Sequence, residues 1–458
     1  MKMSFRRRWV GPLAGLAVFC MVATATAAVG TSGAQPKKAA APSVNLNIAV
    51  VSNPDMIDME QLTPYFEKAN PGITVHYSTT DEITEETKVN EDAATGSGLY
   101  DIAMTGSNEL PVWANNGWAI GLNQMAKSTP GYDVADLLPA VRAALSINGQ
   151  LYAVPFYAES SFLMYRKDLF KAAGITMPAH PTWNQIALFA KKLNDPSKGV
   201  AGICLRGEAG WGEALAALTT VVHAFGGEMY NKNYVAEFTS PAFEKAMTFY
   251  VNLIRNYGEP AATSDSFTQC LSLFSQGKAA MWYDATVAAS QITDPATSKV
   301  AHEVGFAPAP SEAVNSGGWL YSWSLSIVKG SKHMADAWKF LDWATSKAYI
   351  QLVAQKLGAN LIPPGTRIST YSLPAYLKAA SSYAALTLYG INHAETTIAN
   401  AAPLERSFYM AIPQWEEAGN LISNYISAAI AGQTSVSQAL SNMQSIAQLT
   451  VDEAGYHK

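Results

Sequence analysis

PFYAESSFLMYRKDLF, residues 155–170, is the stretch on which the fold turns. It is apolar and aromatic on both flanks, yet Glu159 stands in its first third with Ser160 and Ser161 behind it. YRKDLF (165–170) reads as the opening of a surface helix. An ionisable group between two apolar blocks marks a place where the chain passes from one packed body to another while one side chain faces something polar. An ionised carboxylate can only accept hydrogen bonds, so it suits a partner rich in donors.

Outward from this point, strand and helix patterns alternate. VNLNIAVVS (44–52) is a β-branched, alternating strand. A helix follows in which Leu62, Tyr65, Phe66 and Ala69 share one face, and NPG (70–72) stops it. ITVHYS (73–78) and Tyr100–Thr105 read as the next strands, and LYAVPFY (151–157), GICLRG (202–207), KAAMWYD (278–284), EVGFAPAP (303–310) and LYSWSLSIV (320–328) as later ones. TWNQIALFAKKLND (182–195) and PAFEKAMTFYVNLIRNYG (241–258) are amphipathic helices, and after SKHMADAWKFLDWATSKAYIQLVAQKLGA (331–359) the chain is almost wholly helical. The pattern predicts the α/β class with mainly parallel sheets. In such sheets ligands sit at the carboxyl ends of strands, which singles out the loops SNPD (52–55) and GSNE (106–109).

A chain of 458 residues suits two domains, and 49% hydrophobic with 15% charged residues is globular. The net charge of -5 leaves no basic surface for nucleic acid. MKMSFRRRWV, the apolar GPLAGLAVFCMVA and the small residues TATAA make residues 1–28 a cleaved signal peptide. Residues 29–43 are a flexible spacer. Phe19 before Cys20 is too bulky for a lipobox, so the expected product is periplasmic and not lipid-anchored. Cys204 and Cys270 could pair in an oxidising compartment, but one pair is no framework in a chain this long, and both read as buried thiols.

LYAVPFYAESSFLMYRKDLFKAAGI, PTWNQIALFAKKL, SQGKAAMWYDAT, VGFAPAP and AWKFLDWATSKAYIQ follow one another in order. This series resembles the extracellular solute-binding proteins of ATP-driven carbohydrate importers, the maltose-binding-like class, over about residues 44–450. AVPFYAESS, GICLRGEAGWGE, MWYDATVAAS and PPGTRISTY are most similar to the sorbitol/mannitol (polyol) binders of that class. The resemblance implies two α/β lobes joined by a multi-strand hinge, with ligand in the cleft. Crossings then fall near Pro155–Ser161, Tyr283–Ala285 and Val328–Ser331. Lobe one becomes 44–156 plus 286–328, and lobe two 157–285 plus 329–458.

Glu159 then lies at the cleft floor, on the position where maltose-type binders carry a ligand-contacting glutamate; the plain alternative is a hinge residue held by hydrogen bonds. Asp284 matches a ligand-facing position of the family or caps a helix starting at Thr286. Arg206 bridges hydroxyls or pairs with Glu208 or Glu213. Trp211, flanked by glycines, is expected to stack on ligand. Trp319, Tyr321 and Trp323 alternate onto one face, and Trp319, nearest the glycines, is the one expected to reach ligand. Asn108 stands where maltose binders carry an acid, a departure that weakens a maltodextrin reading; Glu109 is its neighbour. Asn53 contacts ligand or caps the turn, and Arg367 pins a loop.

The seven histidines show no metal spacing, and the chain has no G-x-S-x-G elbow, no C-x-x-C and no phosphate-binding loop. SQGK (275–278) matches S-x-x-K by chance. The expectation is therefore a monomeric, non-enzymatic binding protein without cofactor or metal. Its partners would be a small polyol or sugar and the inner-membrane permease of an ABC importer. The alternatives are a secreted carbohydrate-active enzyme, or the same fold holding a mono- or disaccharide.

Overall fold

A computed structural model describes residues 43–315, 318–394 and 408–456. The expected signal peptide and nearly all of the spacer lie outside them. Among the described residues there are ten strands: β1 (Val44–Val51), β2 (Ile73–Thr80), β3 (Ile102–Gly106), β4 (Ser146–Ile147), β5 (Gln150–Leu151), β6 (Val154–Glu159), β7 (Ser161–Arg166), β8 (Met281–Ala285), β9 (Val304–Pro308) and β10 (Tyr321–Ile327). They form a five-stranded sheet in the order β2-β1-β3-β10-β6, a three-stranded sheet β8-β7-β9, and the small hairpin β4-β5.

The α/β class holds, but where mainly parallel sheets were expected the five-stranded sheet is mixed and the three-stranded one antiparallel. β1 is parallel to β2 and β3, because the helices Pro54–Ala69 and Glu82–Thr95 return the chain to the same edge. β10 runs antiparallel to both β3 and β6, and β7 antiparallel to β8 and β9. GICLRG forms no strand. Ala201 just before it bridges Ala279, its own Cys204 bridges Trp282 of β8, and the chain then turns away to deliver Arg206.

The first helix is started by Asn53, whose side chain accepts from Met56 N, with Pro54 in the first turn where a missing N–H costs nothing. Its buried face is Met56, Met59, Leu62, Thr63 and Phe66. Tyr65 and Ala69, expected on that face, point outward, and the Lys356 ammonium covers the Tyr65 ring at 5.4 Å. A reciprocal capping box between Thr182 and Gln185 opens the helix Trp183–Leu193.

Two strand groups define two lobes, and the chain passes between them at Ser160, where β6 of the first sheet becomes β7 of the second. β9 pairs with β7. Residues 304–308 thus belong to the second sheet, although the sequence reading placed all of 286–328 in the first lobe. Likewise the helix Met334–Thr345 packs on β1, β6 and β10 of the first sheet, not in the second lobe. The helices Trp415–Ile430 and Val436–Glu453 pack on each other and on Pro241–Tyr257 of the second lobe.

Cys204 and Cys270 are joined as a disulfide with their Cα atoms 5.7 Å apart, correcting the expectation of two thiols. Among the described residues no helix is long and apolar enough to cross a membrane.

Candidate functional site

A cavity of about 480 Å³ lies between the lobes. The first lobe brings Asn53, Asp55, Asp81, Glu82, Tyr157 and Glu159 to it, and β10 adds Tyr321 and Trp323; the second lobe brings Arg206, Glu208, Trp211, Glu213 and Phe267. Trp319 and Phe408 complete its aromatic lining. Six carboxylates line this space, while Arg206 is its single cation among the described residues.

Glu159 ends β6, paired with Tyr321 across the sheet. Its carboxylate accepts no hydrogen bond from the described residues, so its oxygens are left for whatever enters. Burial pushes its carboxyl up to about 8, opposed by the nearby Arg206 guanidinium and reinforced by Asp284 and Glu82. The same burial raises Glu82 to about 7 and Asp55 to about 8, helped by Glu213 beside the one and Asp58 beside the other.

Arg206 is almost fully engaged. Its Nε donates to Asp284 at 3.1 and 3.0 Å, Nη2 to Asp284 at 2.6 Å, and Nη1 to Gly212 O at 2.7 Å and Glu213 at 3.3 Å. Its guanidinium also lies over Phe267 at 5.3 Å and near Trp319 at 5.8 Å. Of the two carboxylates considered for it, Glu213 is the one that pairs.

Asp284 is fully buried and does not line the cavity. Besides Arg206 it accepts from Trp282 Nε1 at 2.9 Å and from Ala285 N at 2.7 Å. A carboxylate with that many donors has no lone pair left for a ligand. It holds Arg206 in place instead of facing the cleft, and it caps no helix: the next one, Ala288–Ile292, starts after Val287.

Trp211 opens a π-helical turn, Trp211–Leu215, seated by its backbone N–H on Asn420 at 2.9 Å. Its ring is buried and faces the cavity. Trp319, Tyr321 and Trp323 all line the same cavity, so the expectation of Trp319 alone was too narrow. Their alternation along β10 was the visible signal. Asn53 does both things asked of it: Oδ1 caps the helix, and Nδ2 donates to the Tyr157 hydroxyl at 3.1 Å, on the cavity wall.

Asn108 and Glu109 are not in this cavity. They line a second one of about 210 Å³ with Asn90, Trp113, Trp415 and Glu416. Asn108 accepts from the Tyr321 hydroxyl at 2.8 Å, and Glu109 accepts from Gly106 N at 2.8 Å. Glu86, Glu109 and Glu416 offer oxygens within 4.8 Å of one another. Burial, then mutual repulsion, holds Glu86 and Glu109 well above the usual carboxylate range. Arg367 pins its loop as expected: fully buried, it donates to Thr345 O at 2.8 Å and to Asp136 at 3.4 Å.

Residues 53–351 match the family model described as bacterial extracellular solute-binding protein. A mannitol-binding protein of Pseudomonas aeruginosa is 42% identical over 416 residues, covering 90% of this chain and 94% of its own. The crystal structure of an ABC transporter solute-binding protein from Agrobacterium vitis, with bound D-mannitol, superposes with a TM-score of 0.87 at 46% identity, over 91% of this chain and 100% of that one. A second, from Agrobacterium radiobacter in complex with ribitol, shares the fold with a TM-score of 0.80 at 24% identity, over 89% of this chain and 99% of its own.

Proposed function

The chain belongs to the bacterial extracellular solute-binding proteins, and on that footing we propose that it captures a hexitol such as mannitol for an ATP-driven importer. The observation that carries this reading is the charge and shape of the cavity. Among the described residues six carboxyl groups and several ring faces line it, and the one cation is already neutralised by Asp284 and Glu213. Such a space suits a neutral molecule with many hydroxyl donors on one edge and C–H groups on the other. An anionic ligand would find no unpaired cation among the described lining residues. The names of the relatives at 42% and 46% identity agree with a polyol.

In this reading Glu159 accepts from hydroxyls, Asn53 and Tyr157 fix the near end of the ligand, and Trp319, Trp323 and Trp211 cover its C–H faces. Arg206 lends its remaining N–H capacity while Asp284 positions it. The lobes close on the ligand about the strand crossing at Ser160, and the closed form docks on the permease in the inner membrane. The protein works after export, in the periplasm.

A thermal-shift screen against mannitol, sorbitol, arabitol, common monosaccharides and disaccharides tests the proposal. At about 100-fold excess over Kd a ligand adds about 2.7 kcal/mol of stability, which is readily seen. A shift with hexitols supports it. A shift with disaccharides alone would replace the ligand class, and turnover of a glycoside would replace binding by catalysis.

A further inference from the structure

Between the two cavities stand Tyr321 and Trp211, which line the larger, each backed by a residue that lines the smaller. Tyr321 lines the larger one, and its hydroxyl bonds Asn108, which lines the smaller. Trp211 lines the larger one, and its ring centre lies 6.4 Å from that of Trp415 in the smaller. The Trp211 and Tyr321 rings lie 6.2 Å apart. Phe408 faces the first space and Met410 the second, while Tyr409 between them packs 6.4 Å from both Trp211 and Tyr321. The partition is two side chains thick, Tyr321 bonded to Asn108 and Trp211 packed on Trp415.

Its seat is built into the backbone. At Gly106 a Cβ would collide with the Tyr321 hydroxyl and with Asn108. At Gly419 a Cβ would lie 2.6 Å from Trp211 Cβ. Side chains are missing at the two places where the partition residues rest. The space behind is not apolar filler: Asn90, Asn108, Glu109 and Glu416 line it beside Trp113 and Trp415, the same mix of acceptors and ring faces found in front.

We infer that Trp211 and Tyr321 are an end-stop that fixes the greatest length of solute the cleft accepts, closing off a chamber that would otherwise extend the site. This rests on the polyol reading above. The front cavity, at about 480 Å³, lies low in the range of roughly 300–1,000 Å³ usual for small-molecule sites. A short acyclic chain ends in front of Trp211 and Tyr321, whereas a longer glycosyl-hexitol would run past them into the 210 Å³ behind.

The experiment is calorimetric titration of the full mature protein with mannitol and with maltitol, for the parent and for Trp211→Ala/Tyr321→Ala. The parent is expected to prefer mannitol at least 100-fold, and the double variant to raise the maltitol-to-mannitol affinity ratio at least 100-fold. A cooperatively folded double variant whose ratio stays within threefold of the parent overturns the end-stop. Should the double variant not fold, Tyr321→Ala and Trp211→Ala are read the same way. The parent alone supplies a further measurement. Across a tetritol, a pentitol, a hexitol and a glycosyl-hexitol, affinity must break at least 100-fold at the last step, and no such break overturns the inference. A parent that binds none of the short polyols defeats the polyol reading itself, a result distinct from binding them without a length limit.

Discussion

The indole N–H of Trp211 donates to Glu86 at 3.3 Å, tying the π-helical turn of the second lobe to the helix Glu82–Thr95 of the first. Asn90, one turn further along that helix, donates to both oxygens of Glu416 at 3.2 and 3.1 Å across the same gap. These bonds exist only while the lobes meet, so they bias the closed state and add to apparent ligand affinity. Trp211→Phe keeps most of the ring and loses the donor. A neutral hydrogen bond contributes about 1 kcal/mol net, so the mannitol Kd is expected to weaken roughly fivefold. An unchanged Kd by calorimetry would mean that this contact is not coupled to binding.

Asp284→Ala leaves the Arg206 guanidinium buried without its main partner. Breaking a buried pair on one side costs about 3–5 kcal/mol, so the denaturation midpoint should fall steeply and mannitol binding with it. Asp284→Asn, which keeps an acceptor oxygen, should lose less stability. Equal losses from the two variants would show that charge, not hydrogen bonding, sets Arg206.

Stability should fall as pH rises from about 5 to 8.5. In the folded chain Glu159 and Asp55 titrate near 8 and Glu82 near 7, while unfolded carboxyls titrate near 4. The native state therefore binds more protons than the unfolded one between those values. The stabilisation is fully present below the unfolded pKa and is lost as pH climbs through the folded one. Glu159→Gln should flatten this slope, raising Tm more at pH 8.5 than at pH 5 and abolishing much of the mannitol affinity. A ligand-free Tm that rises across this range would refute the assignment.

Reduction of the Cys204–Cys270 bridge, or its replacement by serines, removes a cross-link between positions 66 apart in sequence. Loop-closure entropy alone predicts a loss of about 4 kcal/mol. Thermal unfolding with and without reductant measures it, and coincident curves would show that the unfolded chain does not feel the bridge.

Much of the architecture was legible because it is local. Period-two stretches such as residues 44–51 and 321–327 and the caps at Asn53 and Thr182 set strands and helix starts without reference to the rest of the chain. Glu159 was readable because an acid in an apolar strand is conspicuous. What failed depended on distance. Asp284 looks ligand-facing until Arg206, 78 positions away, is brought against it. Asn108 looks like a cleft residue until the Tyr321 hydroxyl, from a strand more than 200 residues later, steps in front of it. The pairing of Cys204 with Cys270 needs two segments in contact. Glu82 and Glu86 were missed altogether, since EITEETKVNEDAAT reads as a solvated helix until the other lobe covers it.

The single-residue gap between β6 and β7 has a mechanical consequence. A rotation centred on Ser160 moves each atom in proportion to its distance from that pivot. Glu159, one residue away, sweeps almost no arc and presents the same carboxylate whether the jaws are apart or together. The contacts of Glu86 with Trp211 and of Asn90 with Glu416 join residues of opposite lobes, so they form and break with the motion. If Glu159 is the acceptor proposed above, solute would meet it at the fulcrum before the jaws move, and the contacts between the lobes would set how long they stay shut. Substitutions at the fulcrum should act on capture, and those at the contacts between the lobes on release.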